Sequence, residues 1–171
     1  QFLDGQNLII VPQKNLHYVP FQALFDGFCY LIEKCEISYS PSARIYLSCK
    51  AKKNPNLKNA LFIGVNDQLT PKVTAEIESL SKIFPNAKTL LNSEATRENL
   101  QRDSRFADIV HFACHGKFRP DSPLFSALHL ADGWFNVADA NSLDLKSCLV
   151  VLSACETGIN SISVGDEILG L

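Results

Sequence analysis

The chain has 171 residues, 46% of them hydrophobic and 20% charged, with only 8 Gly and 8 Pro. That is enough for one domain burying roughly 70% of its unfolded surface, and it excludes collagen-like, coiled-coil and disordered classes. A net charge of −2 gives no electrostatic reason to expect a nucleic-acid or acidic-membrane partner. No run approaches the roughly 18 apolar residues of a membrane span, and Gln1 to Val11 lacks the basic start of a signal peptide. The expectation is a soluble chain, and one processed or excised from something longer, since it starts at Gln1 and holds no Met. Six cysteines (Cys29, Cys35, Cys49, Cys114, Cys148 and Cys155) form no C-x-x-C pair, which favours a reduced cytoplasmic protein with buried thiols.

Along the chain, the apolar runs Asn7 to Val11 and Leu16 to Val19 flank the polar turn Pro12-Gln13-Lys14-Asn15 and suggest an opening hairpin. Glu36 to Tyr39 reads as a short strand. Ser40-Pro41 then suits a helix start, with the helix running to about Ala51. Ala60 to Val65 is a buried-strand run. From Thr70-Pro71, the residues Val73, Ile77, Leu80 and Phe84 recur at helical spacing, with Glu76 and Glu78 toward the front of the segment. Ala87 to Leu91 is the next strand. Ser93 to Phe106 permits a helix anchored by Leu100 and Phe106, and Asp108 to Cys114 is a third strand. Leu124 to Leu130 and Trp134 to Val137 flank Ala131-Asp132-Gly133, a strong hairpin signal. Leu149 to Leu152 is the last strand, ending at Ser153-Ala154-Cys155. Short apolar runs alternating with helical segments predict an α/β sandwich with a parallel sheet covered on both faces.

In open parallel sheets reacting groups gather beyond the carboxyl ends of the strands, and two of these strands end in reactive residues. One leads into Cys114-His115-Gly116, the other into Cys155. A cysteine nucleophile needs an imidazole to take its proton and to protonate the leaving amine, and the two can be distant in sequence if adjacent strand ends bring them together. His115 and Cys155 meet that requirement, and the amides of Gly116 and Cys155 can form an oxyanion hole. Taken singly, a strand-end Cys is more often a small core residue and a His beside Gly a turn residue. The combination is what points to chemistry.

Metal binding by His111, Cys114 and His115 is the competing use. On a strand, four residues put His111 roughly 13 Å from His115, too far to share an ion, so no metal is expected. Glu156 and Asp166 form no evident acid–base pair, and Asp166 and Glu167 suit a helix front. His17 and His129 fall in hairpin-like strands, where structural or surface roles are expected. No phosphate-binding loop occurs, and no cofactor is implied.

The strings Ile109-Val110-His111-Phe112-Ala113-Cys114-His115-Gly116, Pro123 to Leu130 and Leu149 to Gly158, in that order, resemble the CHAT domain, a caspase-like branch of the clan CD cysteine peptidases. Ile9 to Pro12 with Leu16 to Phe21 and Leu24 is similar to that family's first hairpin, so the resemblance spans residues 1–171 as one domain. It implies a caspase-like three-layer α/β sandwich: a mostly parallel central sheet flanked by helices, plus a small β-hairpin, here without the carboxyl-terminal strands that complete the cleft. It also implies His115 as general base and acid, Cys155 as nucleophile and the Gly116 and Cys155 amides as the oxyanion hole. Ser153, two residues before the nucleophile, would floor the substrate pocket. Being neither acidic nor Gln, it leaves room for a small or apolar side chain. Cys114 stands where the family often has Thr. The expected function is a regulated cysteine endopeptidase in signalling or defence, cutting a protein substrate and governed by helical repeats or a partner protein. A catalytically silent interaction module and an acyl transferase acting on a small molecule remain open alternatives.

Overall fold

The computed structural model describes residues 6–51, 57–119, 122–145, 149–154, 161–162 and 168–169. The chain divides into two compact units, one comprising Gln1–Lys52 with Ile162–Ile168 and the other Lys53–Ser161 with Leu169–Leu171.

In the first unit, strand β1 (Asn7–Ile10) pairs in parallel with β2 (Glu36–Tyr39), Asn7 lying opposite Glu36 and Ile10 opposite Tyr39. The predicted opening hairpin does not form. Lys14–Tyr18 coil into a 3₁₀ turn with Lys14 at φ 50°, a left-handed conformation that turns the chain off an antiparallel return. Leu16 and Tyr18 are left exposed rather than on a sheet face. A short helix α1 (Leu31–Lys34) leads into β2, and its carboxylate Glu33 accepts from the Tyr30 amide at 2.6 Å. Helix α2 (Ala43–Ala51) starts later than expected, because Ser42 rather than Ser40 caps it. The Ser42 hydroxyl accepts from the Ile45 amide at 3.1 Å, while Ser40 donates to the Ser42 carbonyl.

The second unit holds the main sheet. Its strands β3 (Ala60–Gly64), β4 (Lys88–Leu91), β5 (Ile109–Ala113) and β9 (Leu149–Ser153) are all parallel, in the order β4-β3-β5-β9. Every residue of β3 and β5 is buried, as continuous apolar runs between two layers require. Alternation sorts their side chains. Ala60, Phe62, Ile109 and Ala113 pack under helix α3 (Val73–Ile83) with Val73 and Ile77. Leu61, Ile63, Val110, Phe112 and Cys114 face the opposite layer, built from Leu100 of helix α4 (Arg97–Ser104) and the hairpin β7 (Ala127–Leu130) and β8 (Gly133–Asn136). The fold is therefore the expected mixed α/β one: a parallel central sheet flanked by helices, with a small hairpin.

Three details differ from the sequence expectation. Helix α3 begins at Val73, because the Asp67 carboxylate accepts from the Leu69 and Thr70 amides at 2.8 and 2.9 Å and closes a turn there first. Helix α4 starts at Arg97 under a Thr96 cap that accepts from the Asn99 amide. Phe106 is not an anchor of it: 70% of its surface is exposed, while Leu100 and Ser104 are fully buried. The chain turns after Ser104, so Phe106 leaves the inward face. At the end of β3, α3 and β4 approach so closely that a Cβ on Gly64 would lie 2.8 Å from both Val73 Cγ1 and Leu91 Cδ2. Only glycine lets the three elements meet there. Further along the chain are strand β6 (Gly116–Lys117), a short helix α5 (Val137–Ala140), and the two-residue strands β10 (Ser161–Ile162) and β11 (Ile168–Leu169). Among the described residues no helix is long and apolar enough to cross a membrane.

Candidate active site

The order β4-β3-β5-β9 reverses direction between β3 and β5: the chain steps outward from β3 to β4, then crosses back to β5. Crevices open at the carboxyl ends of strands where such a reversal occurs. Asp67 follows β3 there and His115 follows β5.

The two side chains meet. His115 Nε2 lies 2.9 Å from Asp67 Oδ2 and 3.1 Å from Oδ1. Asp67 also accepts from the Leu69 and Thr70 amides and the Thr70 hydroxyl, so the carboxylate is fixed before it holds the imidazole. The His115 hydrogen bond, aided by those of Thr70 and Leu69, holds the Asp67 carboxyl down at about 2 against the cost of desolvation. An ionised carboxylate only accepts, so neutral His115 carries its proton on Nε2 and leaves the Nδ1 lone pair available as a base. Asp67 was not singled out from the sequence. Its signal was positional: an acid three residues past the strand that neighbours the His115 strand.

The backbone beyond His115 is equally ordered. Its carbonyl accepts from the His129 amide of β7 at 2.8 Å, and β6 runs antiparallel to β7 with Gly116 opposite Leu128. Hydrogen-bonded and non-hydrogen-bonded pairs alternate along such a ladder, so the bond at His115 places Gly116 in a non-hydrogen-bonded pair. Its amide is turned away from β7. The His129 ring lies tilted against Trp134 with centroids 4.9 Å apart, and its buried Nδ1 has no hydrogen-bond partner among the described residues.

On the far side of β5, β9 runs alongside with Ala113 opposite Ser153. Strands in register are about 4.8 Å apart, so the chain that leaves Ser153 starts beside the chain that leaves Ala113 for His115. Ser153 and Ala154 line a groove of about 690 Å³ with Leu69, Thr70 and Val73. Cys155 follows Ala154 and lies outside the described residues, as do Cys148, Glu156, Asp166 and Glu167. His115 and Gly116 line a second crevice with Asp67, Lys117 and Trp134, and Leu69 borders both it and the Ser153 groove.

His111 takes no part in this cluster. It is buried within β5 and bonded through Nε2 to Glu76 Oε1 at 2.8 Å, while His115 turns to Asp67. No group of His, Cys, Asp and Glu among the described residues is placed to hold a metal ion. Cys114 is buried on the opposite face, and burial pushes its thiol up to about 12. Cys29, Cys35, Cys49 and Cys114 are all free thiols.

A parallel sheet with a carboxylate-held histidine at its switch point, beside the strand end that leads into a cysteine, places the chain in the caspase-like class. The family model for the CHAT domain matches residues 1–171, and the chain belongs to that family. No curated protein matches it.

Proposed function

We propose that the chain is the catalytic part of a caspase-like cysteine endopeptidase, residues 1–171 forming its peptidase domain. The observation that carries this reading is His115 at the end of β5, locked by ionised Asp67 in the tautomer that frees Nδ1, next to the strand that runs into Cys155. A histidine kept only for packing has no need of a free nitrogen at a crevice.

In the proposed mechanism the Cys155 thiol gives its proton to His115 Nδ1, and Sγ attacks the carbonyl carbon of the scissile peptide bond. The Gly116 and Cys155 amides donate to the oxyanion. As the C–N bond breaks, the imidazolium returns its proton to the leaving amine and a thioester remains on Cys155. Water then attacks the thioester, His115 takes its proton, and the carboxylic acid departs as the thiol is restored. Asp67 acts as a positioning residue: it fixes the tautomer and stabilises the imidazolium without itself touching substrate. Ser153 borders the substrate groove. The site uses no metal or cofactor in this scheme, and its substrate is a protein segment in a cytoplasmic signalling or defence response governed by a partner or helical-repeat region.

The test is labelling of the intact protein by a peptidyl electrophile, read by mass spectrometry. Modification of Cys155 that disappears in His115→Ala supports the peptidase. Cys155 unreactive toward every such probe, with and without candidate partners, would instead identify a silent caspase-like interaction module.

A further inference from the structure

The groove beside Ser153 contains a charged group that the sequence around the expected nucleophile does not disclose. Glu76, one turn into α3, lines it together with Leu69, Thr70, Val73, Ser153 and Ala154. Its carboxylate is 36% exposed and is held from below by buried His111, whose Nε2 meets Oε1 at 2.8 Å. One oxygen is thereby anchored, and Oε2 keeps its acceptor capacity for a donor entering the groove. The anchor matters because a free glutamate would spend most of its time in other rotamers. Pinned to β5 through His111, it presents a fixed acceptor instead.

The rest of the wall suits a long side chain with an apolar stem. Leu69, Pro71 and Val73 supply apolar surface, and the groove's volume of about 690 Å³ exceeds what a small residue fills. The other charged group on this wall is Lys72, exposed one turn before Glu76. No Lys72–Glu76 ion pair forms among the described residues, and the carboxylate meets His111 instead.

We propose that this groove receives a lysine or arginine side chain of a peptide segment, with Glu76 as the specificity-determining residue and Ser153 as the floor. The stem of the incoming residue lies along Leu69 and Val73, and its cationic head meets Glu76. This rests on the peptidase reading for its location next to the scissile bond. It replaces the small or apolar preference that Ser153 alone suggested.

Two experiments on the intact protein test it. Peptidyl acyloxymethyl ketones, which alkylate a cysteine as their carboxylate leaves, are compared with Lys, norleucine, Ala or Glu next to the reactive carbon. The Lys probe is expected to modify Cys155 at least about tenfold faster than the norleucine probe, the usual scale for one charged contact. Glu76→Gln should bring that ratio near unity, and Glu76→Lys should turn the preference toward Glu. Equal Lys and norleucine rates, or a ratio indifferent to Glu76→Gln, would overturn the proposal.

The second experiment needs no reactive thiol. In Cys155→Ala, a fluorescent peptide carrying Lys should bind more tightly than its norleucine twin, and Glu76→Gln in the same background should remove the difference. Cys155 silent toward all probes, with Glu76-dependent Lys binding retained, would defeat the peptidase reading and leave the cationic subsite standing. No Lys preference in binding either would defeat the subsite.

Discussion

His111 and His115 stand four residues apart on one segment, and each meets a carboxylate at 2.8–2.9 Å. Inside β5, His111 is 10% exposed in its side chain, set edge-on to Phe62 at 6.1 Å under α3, and tied to Glu76. Just past the end of the same strand, His115 is 23% exposed and its partner Asp67 is 40% exposed. The pairings are chemically alike. What separates them is where the strand stops: a side chain within the sheet is surrounded, whereas one beyond its end can face a crevice and a substrate. The residue type announces a possible base, and the fold decides which of two histidines has room to act as one.

The sharpest way to break the comparison is to remove His115 and its proposed nucleophile in turn. Cys155→Ala and His115→Ala should each lower cleavage by the intact protein at least about 10³-fold while leaving the fold unchanged, since residues acting as one unit fail together. Circular dichroism beside a cleavage assay checks both halves. Retained cleavage in Cys155→Ala would remove the dyad altogether.

Asp67→Asn probes the partner and should cost about 10–100-fold in kcat with KM little changed. That is less than the ~10⁴ of a buried triad aspartate, because water partly screens this one. Its acid dependence has a defined sign. The folded-state carboxyl is held at about 2, below the ordinary 3.8. Its contribution to stability is therefore complete above pH 3.8 and lost as pH falls through about 2. Thermal melts of the parent and Asp67→Asn should differ at pH 5 and converge only below about pH 2.

Stability gives the reverse ranking of the two histidines. Gly64→Ala, which forces a Cβ against Val73 and Leu91, sets the upper mark, with about 1–3 kcal/mol lost in denaturant unfolding. His111→Leu should cost about 1 kcal/mol through the lost Glu76 hydrogen bond. His115→Leu should cost less than His111→Leu, because its pairing with Asp67 is more exposed and partly screened by water. If His115→Leu proved the more destabilising, its role would be structural and the contrast would collapse.

Much of this was legible before any coordinates. The buried runs at Ala60 and Ile109, the Asp132-Gly133 turn and the string ending at His115-Gly116 all fell where expected, because a strand buried on both faces writes itself as an uninterrupted apolar run. Leu16 to Val19 misled, since four residues of the right composition do not reveal that Lys14 adopts a positive φ and that β1 finds its partner at Glu36. Phe106 misled for a related reason: its helix ends at Ser104, so helical spacing no longer sets where it points. Asp67 and Glu76 were hidden differently. Each gains meaning only from a contact across 48 or 35 residues of chain, and no local spacing encodes that.

Cys114, adjacent to His115, provides the finest test of the same contrast, because neighbours in sequence again differ in environment. Its side chain points into the layer of Leu128, Leu130 and Phe135, and burial pushes its thiol up to about 12. At pH 8 only about one molecule in 10⁴ would carry the thiolate, and that one is shielded from reagent. Iodoacetamide should therefore alkylate exposed Cys49 at least about 100-fold faster than Cys114 in the native protein, as peptide mapping over a time course would show. Peroxide should follow the same order, so Cys114→Thr keeps cleavage and leaves peroxide sensitivity unchanged. Rapid native labelling of Cys114 would mean that the strand end opens far enough to expose both faces of β5. The carboxylate pairing of His115 would then be one state among several rather than the resting geometry of the site.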